Sequence, residues 1–541
     1  MNIPQPTKAT RVLATIGEVL TQISVWIAIA FFAITGLLSF IVTTTMPNYT
    51  YNVEFTTKGW WKVTIVSVLA ILVVAYLDKK GLLARINTKK LSLALIFYSA
   101  LVGVFWIAMA NVWPEWDPLY VLKAAEATSD PNLQLQCPGD EVSWILCPGG
   151  YLERFPYQIP LVIVDRVLLF VFGQGAYLAF EVINVICVAA TLVLIGRITD
   201  ALFGNAAYTN TTLLLGFTFL PLIFYVTFAY GNTISLPFIA GAVLFQVKYF
   251  NTGKLLQAII ALGLVALGLT FKSSMIYVLA AMVAAWIIHA LKEHSLKDVL
   301  CLLLACICYL LPGLAVGASA YYLNLNPNIG EPKTVWFAMG TQRPSDESSN
   351  NYGWYNGYPL KWNPEDYDQH VIKEESISSI KQSISEFAND PAYAWTFFSR
   401  KFTSEWTDPL YESLLASNWS SHGADRPIMS ERSISPVLRS IYYGKLHKLI
   451  LAAIDGLQFL ILAGCFAYLV RNWKTIKAQL IPIIITPVGV AILYLFWEAQ
   501  SQYIMPAYIL MLPLAGAGIQ IISSAATKVI EKAVPRVNVE R

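Results

Sequence analysis

The sequence predicts an all-α polytopic membrane protein with about 12 transmembrane helices. Three observations lead there. Hydrophobic residues fill 56% of the 541 positions and charged residues only 13%, where soluble domains carry about a quarter charged; mean hydropathy is +0.55. The apolar residues gather into many runs of about 18 residues or more with few charges, enough for a helix to cross the hydrocarbon core. Those runs are continuous rather than short and alternating, which excludes a transmembrane β-barrel. The net charge of +3 is small. Its basic residues are scattered over span ends and one polar domain, so no nucleic acid is expected as a partner.

In chain order, Lys8 and Arg11 precede the first apolar run, residues 18–46. That run is too long for a signal-peptide core and lacks a clear small-residue cleavage site, so it reads as the first span with a cytoplasmic N-terminus. Residues 60–77 form the second span. Lys79, Lys80, Arg85, Lys89 and Lys90 follow, the densest basic cluster near any span end. The positive-inside rule makes it cytoplasmic and sets the orientation. The third span, residues 91–111, then delivers a polar loop from Trp113 to Gln158 to the outer side.

Residues 159–173 are ambiguous. The stretch is about 15 residues long, short for a span, and carries Asp165 and Arg166 in its middle. An interfacial amphipathic helix on the outer leaflet fits better. Spans at 176–195, 210–228, 233–250, 255–271, 275–291 and 299–321 then place Arg197, Lys248, Lys254, Lys292 and Lys297 on the cytoplasmic side. Residues 322–446 form a polar insert of about 125 residues, long enough for a small extracytoplasmic domain. It is rich in turns and aromatics, with a helical stretch at 365–388. Spans at 447–470, 480–497 and 505–525 close the chain, and Lys528, Lys532, Arg536 and Arg541 keep the C-terminus cytoplasmic. The organisation is an N-terminal membrane module, 1–321, whose outer loop 112–173 is the candidate catalytic element, then a domain at 322–446, then C-terminal helices and tail at 447–541. No internal repeat is visible, which weighs against a transporter built from duplicated halves.

Cys187, Cys301, Cys306, Cys308 and Cys465 lie in apolar runs and read as small buried hydrophobes. Cys137 and Cys147 alone lie in a polar loop, each followed by Pro-Gly. No metal-ligand spacing with His accompanies them. They form a disulfide if the loop faces an oxidising compartment, or remain two free thiols.

Four clusters meet the outer face: Glu115 with Asp117; Tyr151 to Gln158, containing Arg154; Lys272 beside Ser273 and Ser274; and Trp497, Glu498, Gln502 and Tyr503. Each has a bland reading. Asp117 can be a solvated loop carboxylate, Lys272 a snorkelling helix-end lysine, and Glu498 a structural partner for a cation. Convergence from distant parts of the chain favours function. Cations hold a phosphate, aromatics stack on a sugar ring, and a carboxylate activates a hydroxyl.

At this point the chain resembles the GT-C superfamily of polyprenyl-phosphate-sugar-dependent glycosyltransferases, in particular bacterial protein mannosyltransferase-like members of Gram-positive type. The resemblance rests on the order of weak motifs: Asp117 with Val121 and Ala124; Tyr151, Arg154 and Pro156 before the interfacial helix; Tyr230-Gly231-Asn232; Lys272 with its serines. It continues through Trp336 to Gly340, Gly353 to Asn356, Phe398, Lys401, Trp406 and Pro409, then Trp497-Glu498, Gln502-Tyr503 and Pro506. It implies a GT-C-like fold and Asp117 as the catalytic residue, with Glu115 beside it in place of a paired acidic motif. Gln502 stands where related enzymes often have an arginine. Arg154 and Lys272 are therefore the candidates for the donor phosphate, with Arg400 and Lys401 weaker ones. Tyr151, Glu498, Gln502 and Tyr503 are expected to complete the donor site.

The expected activity is inverting transfer of a sugar from a polyprenyl-phosphate donor to a glycan, lipid or protein acceptor outside the cytoplasmic membrane. No cofactor and no metal site is indicated. The nearest alternative is a lipid-linked glycan polymerase or ligase leaning on outer-loop arginines. A transporter or flippase would need ionisable groups near the bilayer midplane, where Glu181 and Asp455 are the chief candidates.

Overall fold

The computed structural model describes residues 8–49, 52–57, 59–132, 137, 139, 141–344, 350–363, 366–418 and 435–533. Among these, ten helices are long and apolar enough to cross a membrane, and Ala206–Thr218 with Leu220–Thr227 is a pair, bent by 50°, that together has the length and composition of a further span. The bend falls where Pro221 starts the second helix, because proline cannot donate back to the preceding turn. The twelfth expected span, Leu255–Phe271, is an apolar helix of 17 residues. At 1.5 Å per residue it is about 25 Å long, at the short end of the helices that cross a hydrocarbon core. The protein is a multi-pass, all-α membrane protein, consistent with the expected number of about 12 helices.

The first helix runs Lys8–Ile41 rather than 18–46. Its end is set by Thr43–Thr45, a β-branched run that leaves the helix and pairs antiparallel with Glu54–Thr56. The expected interfacial segment is the helix Ile159–Phe172, joined to Ala176–Phe203 by a 3-10 turn at Gly173–Gly175. Gly173 takes φ +54° and ψ −129°, a conformation open only to glycine. The apolar stretch Pro156–Phe203 spans 48 residues, which as one straight helix would reach about 72 Å, more than twice a bilayer core. Ile159–Phe172 packs on the helix Trp116–Ser129 and on Leu296–Tyr322. It buries Asp165 and leaves Val167, Phe170, Val171 and Phe172 exposed.

The membrane helices associate through small residues. A Cβ at Gly518 would stand 1.7 Å from the Gly464 carbonyl oxygen. Only glycine there lets Lys445–Asn472 and Met505–Ala533 meet so closely. Helix ends are capped by polar side chains: Asn87 accepts from the N–H of Lys89 and Lys90, and Asp390 from Tyr393 with Pro391 in the first turn.

In the polar insert, the expected helix at 365–388 is Gln369–Asn389; Glu365 lies outside the described residues. The helices Trp116–Ser129 in the first large loop and Pro391–Trp406 in the insert were not expected from the sequence, nor were the shorter Glu141–Leu146, Thr334–Thr341 and Pro436–Tyr443. In Trp116–Ser129 the apolar residues form no one-sided stripe, so the 3.6-residue period is weak. The insert is stitched to the membrane helices: Thr44 N–H donates to Thr407 O at 2.8 Å and Ala499 N–H to Gly353 O at 2.8 Å.

Candidate active site

Asp117 lies in the first turn of Trp116–Ser129. The chain enters this helix through Trp116 at φ +51°, a left-handed conformation costing about 1–2 kcal/mol for a residue with a Cβ. The Tyr151 hydroxyl donates to Asp117 Oδ1 at 2.5 Å, and the Tyr230 hydroxyl to Oδ2 at 3.1 Å. Gln158 Nε2 in turn bonds the Tyr230 hydroxyl. Both oxygens of a half-buried carboxylate thus have a phenol partner. Burial raises the Asp117 pKa; the Tyr151 hydroxyl, the Lys272 charge and the Tyr230 hydroxyl pull it back down.

Lys272 follows the helix Leu255–Phe271. Its ammonium lies 4.7 Å from the ring centroid of Tyr230 and 5.3 Å from that of Tyr503, within cation–π range. One glycine makes this possible. A Cβ at Gly231 would meet the Phe271 carbonyl oxygen at 2.0 Å, so the Tyr230-Gly231 turn can lie against the lysine loop only without one. Burial lowers the Lys272 pKa to about 8, against the opposing pull of Asp117, Glu498 and Glu412.

Glu498 stands across from them. Gln500 Nε2 donates to its Oε1 at 3.1 Å and the Tyr503 hydroxyl to its Oε2 at 3.2 Å. Burial raises its pKa to about 7; the Tyr503 hydrogen bond and the charges of Lys272 and Lys401 resist, whereas Asp117 adds to the rise. The loop is held by Lys401, whose ammonium donates to Gly340 O at 2.5 Å and Trp497 O at 2.6 Å. Trp336 stacks on Trp497 at 5.8 Å with 6° between the planes.

Beneath the loop is a buried polar knot. Asp408 accepts from Leu410 N–H at 2.9 Å, Glu412 N–H at 3.0 Å and the Ser501 hydroxyl at 2.6 Å. These bonds hold Tyr411 and Glu412, consecutive residues at φ +50° and +59°, in a backbone shape that would otherwise be strained. Gln502 belongs to this knot. Its Nε2 donates to Glu412 Oε2 at 3.3 Å and its Oε1 accepts from Asn232 at 2.8 Å.

The structure therefore brings Asp117, Tyr151, Lys272, Glu498 and Tyr503 together and sets Gln502 behind them. Glu115 is the residue before the Trp116–Ser129 helix and lies near Tyr120, whose phenol is pushed up to about 12 by burial and then by Glu141, Asp117 and Glu115. Arg154 is placed differently. It is buried, its Nε donates to Gly149 O at 2.6 Å, and its guanidinium lies 4.5 Å from the Tyr367 ring centroid. Among the described residues, no contact joins it to Asp117, Lys272 or Glu498. Arg400 donates to Asn350 Oδ1 at 3.1 Å. Of the mid-span carboxylates, Asp455 accepts from the Thr43 hydroxyl at 2.6 Å, and Glu181 is buried.

Sequence reasoning gave no role to Tyr157 and Tyr355. Each is 36% exposed, and after burial the charges of Asp117 and Glu498 raise both phenols. They therefore face the same recess as the two carboxylates. Their signal in the sequence was aromatic density beside the loops, which does not separate a site wall from a core. Cys137 and Cys147 form a disulfide, Cα to Cα 5.8 Å, just before Tyr151. Among the described residues, no group of three His, Cys, Asp or Glu is placed to hold a metal ion.

The recess combines an ionisable carboxylate with fixed hydrogen-bond donors, one cation with no carboxylate in direct contact among the described residues, and aromatic walls. No family model matches the sequence, and no curated protein matches it. Among solved structures, the chain is similar to the crystal structure of the Archaeoglobus fulgidus oligosaccharyltransferase in the apo form, with 14% identity and a TM-score of 0.40. The alignment covers 83% of this chain and 53% of that one, so the chain spans about half the length of that protein, and a likeness this distant carries no inference about activity.

Proposed function

We propose that the protein is an integral membrane glycosyltransferase that moves a sugar, with inversion, from a polyprenyl-phosphate donor to a hydroxyl-bearing glycan, lipid or protein acceptor. The observation that carries this reading is the pairing of Asp117, held by two phenols, with the ammonium of Lys272 over the ring of one of them, Tyr230.

In this reaction the acceptor oxygen attacks the anomeric carbon as its proton passes to the Asp117 carboxylate. The bond between the anomeric carbon and the phosphate oxygen breaks, and polyprenyl phosphate leaves with the electron pair. Lys272, protonated below about pH 8, stabilises the charge that grows on that phosphate. The Tyr151 and Tyr230 hydroxyls keep Asp117 ionised and aimed. Tyr157, Tyr355 and Tyr503 supply flat walls for the sugar, and Glu498 accepts from its hydroxyls. Exposed Trp113 and Trp116 beside Asp117, and the exposed Val167, Phe170, Val171 and Phe172 face, offer apolar surface to a lipid tail and the outer leaflet.

A disulfide beside this site suits an oxidising compartment. With the basic cluster from Lys79 to Lys90 inside, this favours a site on the outer face of the cytoplasmic membrane with both termini inside.

The test is purified protein in lipid nanodiscs given a panel of polyprenyl-phosphate hexoses, with release of polyprenyl phosphate and sugar transfer to co-purified acceptor as readouts. Turnover abolished by Asp117→Asn supports the reading. Turnover confined to pyrophosphate-linked donors would replace it with the polymerase or ligase alternative.

A further inference from the structure

A second site lies beside the first. A groove of 370 Å³ is lined by Pro148, Gly149, Asn326, Asn328, Ile329, Tyr367 and Gln369, three stretches far apart in the chain. We propose that this groove binds a neutral saccharide, the part of the acceptor remote from the reacting hydroxyl. The ligand's role in catalysis rests on the transferase reading above; the groove itself does not.

The groove is built, not incidental. Glu153 accepts from Gly149 N–H at 2.9 Å through one oxygen and from Asn326 N–H at 2.9 Å through the other, so one carboxylate fixes two of its walls. Gly330 N–H donates to Glu153 O at 2.8 Å and Glu331 N–H to Arg154 O at 2.7 Å. Tyr367 and Gln369 both donate to Gly330 O, at 3.3 and 2.9 Å. Arg154 underpins two lining residues at once, donating to Gly149 O and lying against the Tyr367 ring. A surface held this way loses little entropy on binding.

Its chemistry is neutral. Asn326, Asn328, Tyr367 and Gln369 offer hydrogen-bonding groups and one flat ring, and no lining side chain is charged. A phosphate or an acidic peptide would call for a cation at the surface; Arg154 is 2% exposed and already used. Amides and a phenol match a ligand made of hydroxyls, and 370 Å³ lies within the usual ~300–1,000 Å³ of small-ligand sites.

Its place links it to the reaction. Tyr151, which holds Asp117, and Arg154, which holds the groove, are the two ends of one four-residue helix. One short helix therefore carries both the phenol that aims the base and the arginine that braces the groove.

The experiment uses the full chain in nanodiscs and saturation-transfer NMR with maltotriose, cellotriose, mannotriose, triacetylchitotriose and inorganic phosphate, each at about 10 mM, high enough to reveal millimolar binding. At least one trisaccharide should bind, Asn328→Trp should weaken it by about tenfold or more, and Gln369→Ala should weaken it less. Asp117→Asn should leave it bound. Binding of none of the four trisaccharides, of phosphate instead, or binding unaffected by Asn328→Trp in folded protein, would overturn the proposal. Saccharide binding in a protein that uses no lipid-linked donor would sink the transferase reading and leave the groove standing; transfer whose acceptor KM is indifferent to Asn328→Trp would do the reverse.

Discussion

The Tyr151 hydroxyl donates to Asp117 Oδ1, and the Tyr230 hydroxyl to the other oxygen of the same carboxylate. Tyr151 lies 34 residues from Asp117 and Tyr230 113 residues from it, so the carboxylate is aimed by tertiary structure and not by its own helix alone. Its reactivity is a balance between burial, which favours the neutral acid, and these donors with Lys272, which favour the anion.

Asp117→Asn keeps the shape and removes the base. We expect a folded, inserted protein that still binds lipid donor and loses about 10²–10⁴-fold in turnover. Glu115→Gln, outside the phenol pair, should lose much less. Comparing single-turnover rates with donor affinity for the two variants checks this, and near-normal transfer by folded Asp117→Asn would move the base elsewhere, to Glu498, Asp408 or Glu412.

The pH profile should be bell-shaped. Asp117 works only when ionised, so the rate falls as pH drops through its pKa. Lys272 works only when protonated, so the rate falls again as pH rises through about 8. Tyr151→Phe removes a donor to the anion, raises the Asp117 pKa and moves the acid limb to higher pH. Lys272→Arg holds its charge past pH 12 and should move the alkaline limb upward. A profile of kcat/KM against pH for the three proteins reads both signs.

Lys272→Ala should chiefly raise the donor concentration needed, because its partner is the phosphate of the bound lipid. Arg154→Ala should act differently. The loss of its bond to Gly149 O and its contact with Tyr367 should raise acceptor KM and leave donor KM unchanged. Steady-state kinetics with each substrate varied separately distinguishes the two cations.

Lys401→Met leaves the Gly340 and Trp497 carbonyls without their donor. Burial lowers the Lys401 pKa to about 7 and its partners are neutral carbonyls, so the cost is that of unsatisfied buried acceptors, about 1–3 kcal/mol. We expect a lower Tm and faster amide exchange at Ala499 and Ser501, measured by hydrogen–deuterium exchange, with donor affinity falling only as the Glu498 loop loosens.

Topology is open to direct labelling. Cysteines placed at Gln174 and Asn350 should react with an impermeant external maleimide in intact cells, and one at Arg85 only after permeabilisation. Labelling of Arg85 and Asn350 from the same side would overturn the orientation, and protection of Gln174 would place Ile159–Phe172 across the bilayer.

The sequence by itself determined that the chain is a helical, multi-pass membrane protein, because the free energy of burying about 20 apolar residues in lipid is local and additive along the chain. It also singled out Asp117, Lys272 and Glu498, since charges beside apolar runs are conspicuous. The tertiary structure decided what stands beside them. Tyr157 and Tyr355 lie near Asp117 and Glu498 and Gln502 in a buried knot, although their sequence neighbourhoods look alike. The sequence grouped Arg154 with Lys272 as a phosphate ligand, yet folding set it under Tyr367. Hydrogen bonds and charge pairs act over a few ångströms and connect positions far apart in the chain, 270 residues for Asn232 and Gln502 and 412 for Thr43 and Asp455. The bend at Pro221 likewise comes from geometry, which hydropathy alone does not measure.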